Sequence, residues 1–293
     1  MNNITFRLLE VFQHVVDAGS VTAASVELGL SQPTVSLQLK KLSSIVGMSL
    51  LEYQQGKAVM TDAGIAVYRC AQEVLTSQQT LNSQIQALQG LEVGSLKLAV
   101  VTTAKYIIPP LLSPFCKAHP NIDVRFTVGN REKIVDRLTR NQDDLYIFSL
   151  PPSNPELACT PFKENRLQVI APPDYDGPDN CDLKTLQNEK FLLRETGSGT
   201  RRAIDDFCHK HGVHFDNVMV IESNEAIRLA VSSGLGLAIV SEHTLAQVPK
   251  DTFKVLNIAD FPLITHWQAV TVKSRPMSLA SKAFLESLTP SVA

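Results

Sequence analysis

Over residues 1–60 the apolar positions recur every three or four places, the spacing of helices that bury one face. The pattern predicts a helix over 6–18, a second short one after Gly19 and Ser20, and a third after Gly29 and Leu30. Gly tolerates the left-handed conformation that ends a helix, and Ser can bond the free N–H groups that begin one. Ser31 is placed to cap the third helix, and Pro33 falls in its first turn, where no N–H partner is needed. Val35, Leu39 and Leu42 then face inward with Leu28 and Leu30. Ser31, Gln32, Pro33, Thr34, Ser36, Leu37, Lys40 and Lys41 are left outside that core. A helix, a tight turn and a second helix with a spare polar face fit the major groove of DNA. Leu37 is the odd member of that face; a thymine methyl is a natural partner for it.

From Asp62 to Leu91 no Pro interrupts the chain, and the pattern changes. Val67, Val74, Leu81 and Leu88 repeat every seven residues, with Ala71, Gln78 and Ile85 between them. That is a heptad seam with a polar break at Gln78. A helix this rich in Gln and Ser needs a partner, so Val67, Val74, Leu81, Ile85 and Leu88 are expected to pair it with its own copy.

From Gly94 onward, short apolar runs alternate with helical patterns. Strands are expected at 95–102, 122–128, 144–149, 166–171, 191–194, 218–222, 237–240 and 268–272. Helices are expected at 105–118, 130–140, 183–188, 201–211, 226–233 and 278–288. This predicts an α/β architecture with largely parallel sheets. The Pro-rich stretch 151–155 marks a break, and two subdomains are expected, the chain crossing near 163 and returning near 265.

Ligands of open α/β sheets lie beyond the carboxyl ends of strands, beside helix N-termini. Four junctions qualify: Thr102, Thr103 and Lys105; Asn130 and Arg131; Ser198, Gly199, Thr200 and Arg201; and Asn224, with Ser149 ending a further strand. Each offers hydroxyls, free amides or a cation, so an anion is the expected guest. The stretch Gly197–Thr200 is the strongest, because Gly lets backbone N–H groups approach an oxyanion closely. It lacks the Gly-Lys-Ser/Thr ending of a phosphate-binding nucleotide loop.

Composition adjusts this picture. The chain has 293 residues, enough for two or three domains, and a net charge of −2, so it is no polycation. Residues 1–60 hold four cations, Arg7, Lys40, Lys41 and Lys57, against four anions, Glu10, Asp17, Glu27 and Glu52. The lysines are confined to the second half of that segment. Few phosphate contacts per domain imply a modest non-specific grip and a need for several domains acting together. No secretory signal or membrane span is visible, which points to the cytoplasm. The five cysteines are odd in number and show no C-x-x-C spacing, as expected of idle thiols in a reducing compartment.

The run Ala23-Ala24, Leu28-Gly29-Leu30-Ser31-Gln32-Pro33-Thr34-Val35-Ser36 and Leu42 resembles the winged helix-turn-helix of LysR-type transcriptional regulators. Leu50-Leu51-Glu52 and Met60-Thr61-Asp62-Ala63-Gly64 resemble the family's wing and the start of its linker helix. The family usually places arginine in the wing; here Tyr53, Gln54 and Gln55 stand there, and Lys57 alone is basic. Further on, Thr102-Thr103-Ala104-Lys105-Tyr106-Ile107-Ile108-Pro109, Val128-Gly129-Asn130-Arg131-Glu132, Asp143-Asp144-Leu145-Tyr146-Ile147 and Val169-Ile170-Ala171-Pro172-Pro173 look like the CbbR-type subgroup, whose members control carbon-fixation genes.

The resemblance implies a winged helix-turn-helix over 1–61, a linker and dimerisation helix over 62–92, and an effector domain over 93–293 with a periplasmic-binding-protein-like fold. Its subdomains are 93–163 with 265–293, and 164–264. It further implies a homodimer assembling to a homotetramer, near-palindromic double-stranded promoter DNA, RNA polymerase as a further partner, and no cofactor or metal. The implied effector is a small anion, a phosphorylated or carboxylated metabolite or an inorganic anion, held by Lys105, Arg131 or Arg201.

Other chemistries are less well supported. Cys208, His209, His211 and His214 cluster, but they span a helix end and a turn rather than a tetrahedral ligand set. Ser198 lacks the G-x-S-x-G elbow and a placed His/Asp pair, so binding is expected and catalysis is not. The alternative class is a solute-binding protein for a small anion with no DNA function. The N-terminal helix-turn-helix argues against it.

Overall fold

The computed structural model describes residues 4–54, 57–88, 94–246 and 248–289. The chain divides into two compact units, one built on Met1–Glu92 and the other on most of the remainder.

The first unit opens with α1 (Phe6–Ala18), α2 (Val21–Leu28) and α3 (Gln32–Val46). Each begins on a hydroxyl: Thr5, Ser20 and Ser31 accept the backbone N–H groups of Leu8, Ala23 and Thr34. Each ends on a left-handed glycine, Gly19, Gly29 or Gly47. Losing one such N-cap costs about 1 kcal/mol, so the punctuation itself sets the helix lengths. The strands β1 (Leu51–Gln54) and β2 (Lys57–Met60) pair antiparallel as a wing. The Ala58 N–H bonds the Gly19 carbonyl at 3.1 Å and ties the wing to the turn before α2. Helix α4 (Asp62–Leu88) follows. Its Tyr68 and Ala71 are buried with Leu8, Leu9, Phe12, Val16, Leu42 and Leu50, and the Tyr68 hydroxyl donates to Asp17. A second cluster of Val11, Val15, Ala24 and Val35 fixes α2 and α3 on α1.

The second unit runs β3 (Gly94–Val101), a 3-10 turn (Thr102–Tyr106), α5 (Ile108–Ala118), β4 (Ile122–Gly129), α6 (Arg131–Thr139), β5 (Leu145–Phe148) and β6 (Leu157–Ala171). It continues with β7 (Lys190–Leu193), α7 (Gly199–His211), β8 (Asn217–Val220), α8 (Asn224–Ser232), β9 (Leu237–Ser241), β10 (Lys254–Val255), β11 (Leu263–Val272) and α9 (Leu279–Leu288). A nine-stranded sheet takes the order β4-β3-β5-β11-β6-β9-β7-β8, with β10 paired to β6.

Two lobes result. In one, β3 pairs parallel with β4 and β5; in the other, β7 pairs parallel with β8 and β9. The antiparallel pair β6 and β11 passes through both. Leu98, Val100, Phe115, Ile147, Trp267 and Phe284 fill the first lobe, while Val169, Phe191, Ile204, Leu237 and Ile239 fill the second.

The sheet is therefore mixed, not largely parallel. The strand expected at 166–171 is the end of a much longer one that starts at Leu157. Lys163 pairs with Trp267 and Pro161 with Gln268, so Phe162 is an extra residue in the ladder. A bulge at that point accommodates Pro161, which has no N–H to give a central ladder. The helix expected over 105–118 is interrupted, because Pro109 and Pro110 open α5 after the 3-10 turn. The segment expected as a helix at 183–188 is a short 3-10 turn, Leu183–Leu186. No helix among the described residues is long and apolar enough to cross a membrane.

Candidate functional site

Two surfaces concentrate the chemistry, one in each unit. In the first, Val35 and Leu42 are fully buried, and this rotates the opposite side of α3 outward. Gln32, Pro33, Leu37, Lys40 and Lys41 are exposed, with Thr34 and Ser36 half-buried beside them. Leu37 keeps 68% of its surface open, although burying it would gain about 2 kcal/mol. The Ser31 hydroxyl accepts the Thr34 N–H, and the two hydroxyls share a hydrogen bond at 2.8 Å, so both are held at the helix start. Beside α3 lies a groove of about 700 Å³ whose walls include Ser36, Lys40, Ser43, Ser44 and Ser49 over Phe12 and Leu50. The side chain of Lys57 lies outside the described residues, as does all of Gln55.

On α4 the heptad stripe splits in two. Val67 and Val74, expected on a seam between copies, are half-buried against the core of their own unit. Leu81 and Ile85 stay exposed, at 55% and 44%. The side chain of Leu88 lies outside the described residues, as do residues 89–91 of the expected helix.

In the second unit the strand-to-helix junctions of the two lobes face one another. The Asn224 amide donates to Thr103 Oγ1 at 3.0 Å and accepts from Arg194 at 2.8 Å. Lys105 pairs with Glu225 at 2.5 Å, and the Tyr106 hydroxyl donates to the same carboxylate. Burial alone would raise the Glu225 pKa, but hydrogen bonds from Lys105, Tyr106 and Ser223 bring it down to about 2. Burial and then the Glu225 hydrogen bond push the Tyr106 hydroxyl upward. Thr102 bonds the Gly129 carbonyl at 3.1 Å within its own lobe. A Cβ on Gly199 would lie 2.7 Å from Ser149 Oγ, so α7 begins close against Ser149 and a larger residue there would displace that hydroxyl. Thr200 is buried in the same turn. On this side of the cleft the protein's own groups satisfy one another.

Further along, the cleft opens into a cavity of about 480 Å³, lined by Asn130, Arg131, Glu132, Val135, Pro152, Glu195, Thr196, Gly197, Ser198 and Arg202. Its walls are the starts of α6 and α7, one from each lobe, whose backbone dipoles favour negative charge. Arg131 is half-buried: it donates to the Leu150 carbonyl and lies 5.5 Å from the centre of the Phe148 ring. Burial, followed by the Arg202 charge, lowers its pKa. Two cations from facing lobes thus share one cavity. Ser198 is turned inward as the α7 cap, accepting the Arg201 N–H at 3.1 Å.

The sequence-based candidates therefore divide. Asn130, Arg131 and Ser198 reach the cavity; Thr103, Lys105 and Asn224 belong to the contact between lobes. Arg201 is occupied elsewhere, with Asp205 at 2.7 Å and the Arg194 carbonyl at 3.3 Å. Its neighbour Arg202 faces the cavity in its place. Arg194, Glu195, Tyr106 and Glu225 were not anticipated.

Residues 6–65 match the family described as "Bacterial regulatory helix-turn-helix protein, lysR family", and residues 89–293 match "LysR substrate binding domain". Over 291 residues the chain is 39% identical to the HTH-type transcriptional activator CmpR of Synechocystis sp. strain PCC 6803, covering 98% of this chain and 96% of that one. It is 37% identical to a RuBisCO operon transcriptional regulator of Acidithiobacillus ferrooxidans, covering 98% and 94%. Among solved structures, the Synechocystis PCC6803 CcmR regulatory domain in complex with 2-PG aligns with a TM-score of 0.62 at 39% identity, over 68% of this chain and 98% of that one. Full-length CbnR complexed with its target DNA aligns at 0.66 over 97% and 99%; at 22% identity it shows the shared fold.

Proposed function

Since this chain belongs to the LysR family of transcriptional regulators and falls with its CbbR-like subgroup, we propose that a small anionic metabolite held between the two lobes sets its action on promoter DNA. The observation that carries this reading is the cavity where Arg131 and Arg202 converge from opposite lobes. An anion there bridges both cations, so it binds one lobe arrangement more tightly than another, which is what a ligand must do to shift an equilibrium. The complex of the similar CcmR regulatory domain with 2-PG makes small phosphorylated acids the first class to test, ahead of plain carboxylates and inorganic anions.

Sequence is read by α3. Gln32, Thr34, Ser36 and Leu37 meet base edges in the major groove, while Ser31, Lys40, Lys41 and Lys57 set the register on phosphates and Pro33 packs against the groove wall. Copies associate through the exposed part of α4, around Leu81 and Ile85, and two dimers make a homotetramer on a near-palindromic site. RNA polymerase is a further partner, and the cytoplasm, where the DNA lies, is its location. We retain the division into a DNA-binding domain to residue 61, a linker helix to 92 and an effector domain beyond. The curated relatives are named as regulators, and no residue is assigned a catalytic role.

Thermal shift with the full-length chain tests the effector site. A ligand at a hundredfold excess over its Kd stabilises by about 2.7 kcal/mol. Phosphorylated two- and three-carbon acids are expected to raise Tm, and Arg202→Ala to erase that rise without lowering the Tm of the free protein. A panel that leaves Tm unmoved would remove the cavity from the mechanism.

A further inference from the structure

The cavity wall contains carboxylates as well as cations, and one of them, Glu195, sits where an anion is expected to bind. Arg194 masks it. The guanidinium Nε and Nη2 grip both Glu195 oxygens at 2.7 and 2.8 Å, a bidentate pair. Arg194 is only 4% exposed, whereas the Glu195 side chain keeps 21% of its surface open. The remaining Arg194 nitrogen, Nη1, donates to Asn224 Oδ1 at 2.8 Å, and the Asn224 amide goes on to Thr103 in the opposite lobe at 3.0 Å. A single buried cation therefore neutralises Glu195 on one side and reaches the contact between lobes on the other.

We infer that Arg194 is the positioning residue that makes the cavity selective for anions, and that Asn224 is neutral so that Arg194 stays on Glu195. The inference rests on the effector-site reading above. A carboxylate at position 224 competes for the same guanidinium. Glu195 is then left wholly or partly unmasked beside Arg131 and Arg202, where it takes the place of the incoming anion. Because Thr103 hangs on the same chain of hydrogen bonds, a change in how Arg194 divides itself between Glu195 and Asn224 also alters the tie between lobes. Contiguous bonds alone do not demonstrate coupling, so the test is a double-mutant cycle.

The probe is inorganic phosphate, titrated by calorimetry into the full-length chain and into Asn224→Asp, Asn224→Ala, Glu195→Gln and the double variant Asn224→Asp with Glu195→Gln. Asn224→Asp is expected to weaken phosphate binding at least tenfold, and Asn224→Ala less than threefold. Glu195→Gln alone is expected to tighten phosphate binding by about threefold, because it leaves the Arg194 charge unopposed beside the cavity. Added to Asn224→Asp, the same change is expected to restore affinity to within threefold of the unmodified chain. Equal losses from Asn224→Asp and Asn224→Ala, or a Glu195→Gln effect of the same size with and without Asn224→Asp, would overturn the masking role and leave the effector cavity standing. Failure of the unmodified chain to bind phosphate would overturn this inference, whereas the cavity reading falls only if the phosphorylated acids of the thermal-shift panel also leave Tm unmoved. Thermal unfolding of each variant guards against loss of fold; if Asn224→Asp does not fold, Asn224→Ala, which adds no charge and leaves Arg194 on Glu195, carries the comparison, and a loss of tenfold or more from it would overturn the masking role.

Discussion

Glu225 accepts a lysine and a tyrosine from the opposite lobe, and its acidity follows from that company. With its pKa drawn from about 4.5 to about 2, it stabilises the folded state fully above the unfolded value. That contribution disappears as pH falls through the folded value. Glu225→Gln is thus expected to lower Tm at pH 7, with a deficit that shrinks below pH 4.5 and closes as pH approaches 2; a deficit that persists unchanged at pH 3 would assign the loss to packing. Some of this site was legible at the residue scale. The glycine at 199, the Ser198 cap and Arg131 announced a helix start built for an anion. Which of Arg201 and Arg202 faces the cavity depends on helix phase, about 100° per residue. The acid four residues on, Asp205, was the available sign that Arg201 is spoken for. Glu225 lies 119 residues from its tyrosine, and no local pattern links them.

Gly64 lies in the first turn of α4, and a Cβ there would stand 2.0 Å from the Leu50 carbonyl oxygen. Backbone crowding, not backbone strain, reserves that position for glycine. Gly64→Ala is expected to destabilise the first unit by about 1–3 kcal/mol, read from urea unfolding, and an unchanged midpoint would contradict the close approach. On the same helix, Leu81→Asp is expected to turn the dimer into monomer in sedimentation velocity. Val74→Asp is expected instead to unfold the domain, since Val74 packs on the domain's own core. A heptad stripe read from sequence cannot distinguish these two destinations, because both reward an apolar residue at the same spacing. Helices α1, α2 and α3 were legible because each carries a hydroxyl at its start and a glycine at its end. Strand β6 was not: its first half carries no apolar run, and the bulge that accommodates Pro161 depends on β11, a hundred residues away along the chain.

Across the whole molecule, charge is scarce where DNA is expected to lie. The four cations of residues 1–60 are matched by four anions. A dimer that places Lys40, Lys41 and Lys57 of each copy on phosphates is expected to show a salt slope, log K against log salt, of about −5. A slope near −10 would mean that cations outside this set share the contact. The α/β class was legible from alternating patterns, and the mixed sheet was not, because strand direction depends on pairings that no single segment encodes. Phe162 carries a last consequence. Side chains on a strand alternate sides with a period of two, so one extra residue changes the parity of everything beyond it. The cores of the two lobes are thus assembled on opposite counts along the same strand. An odd insertion or deletion between Leu157 and Ala171 exchanges the two packed faces of the strand in one lobe, whereas an even one preserves the count. Length in this stretch is counted in pairs.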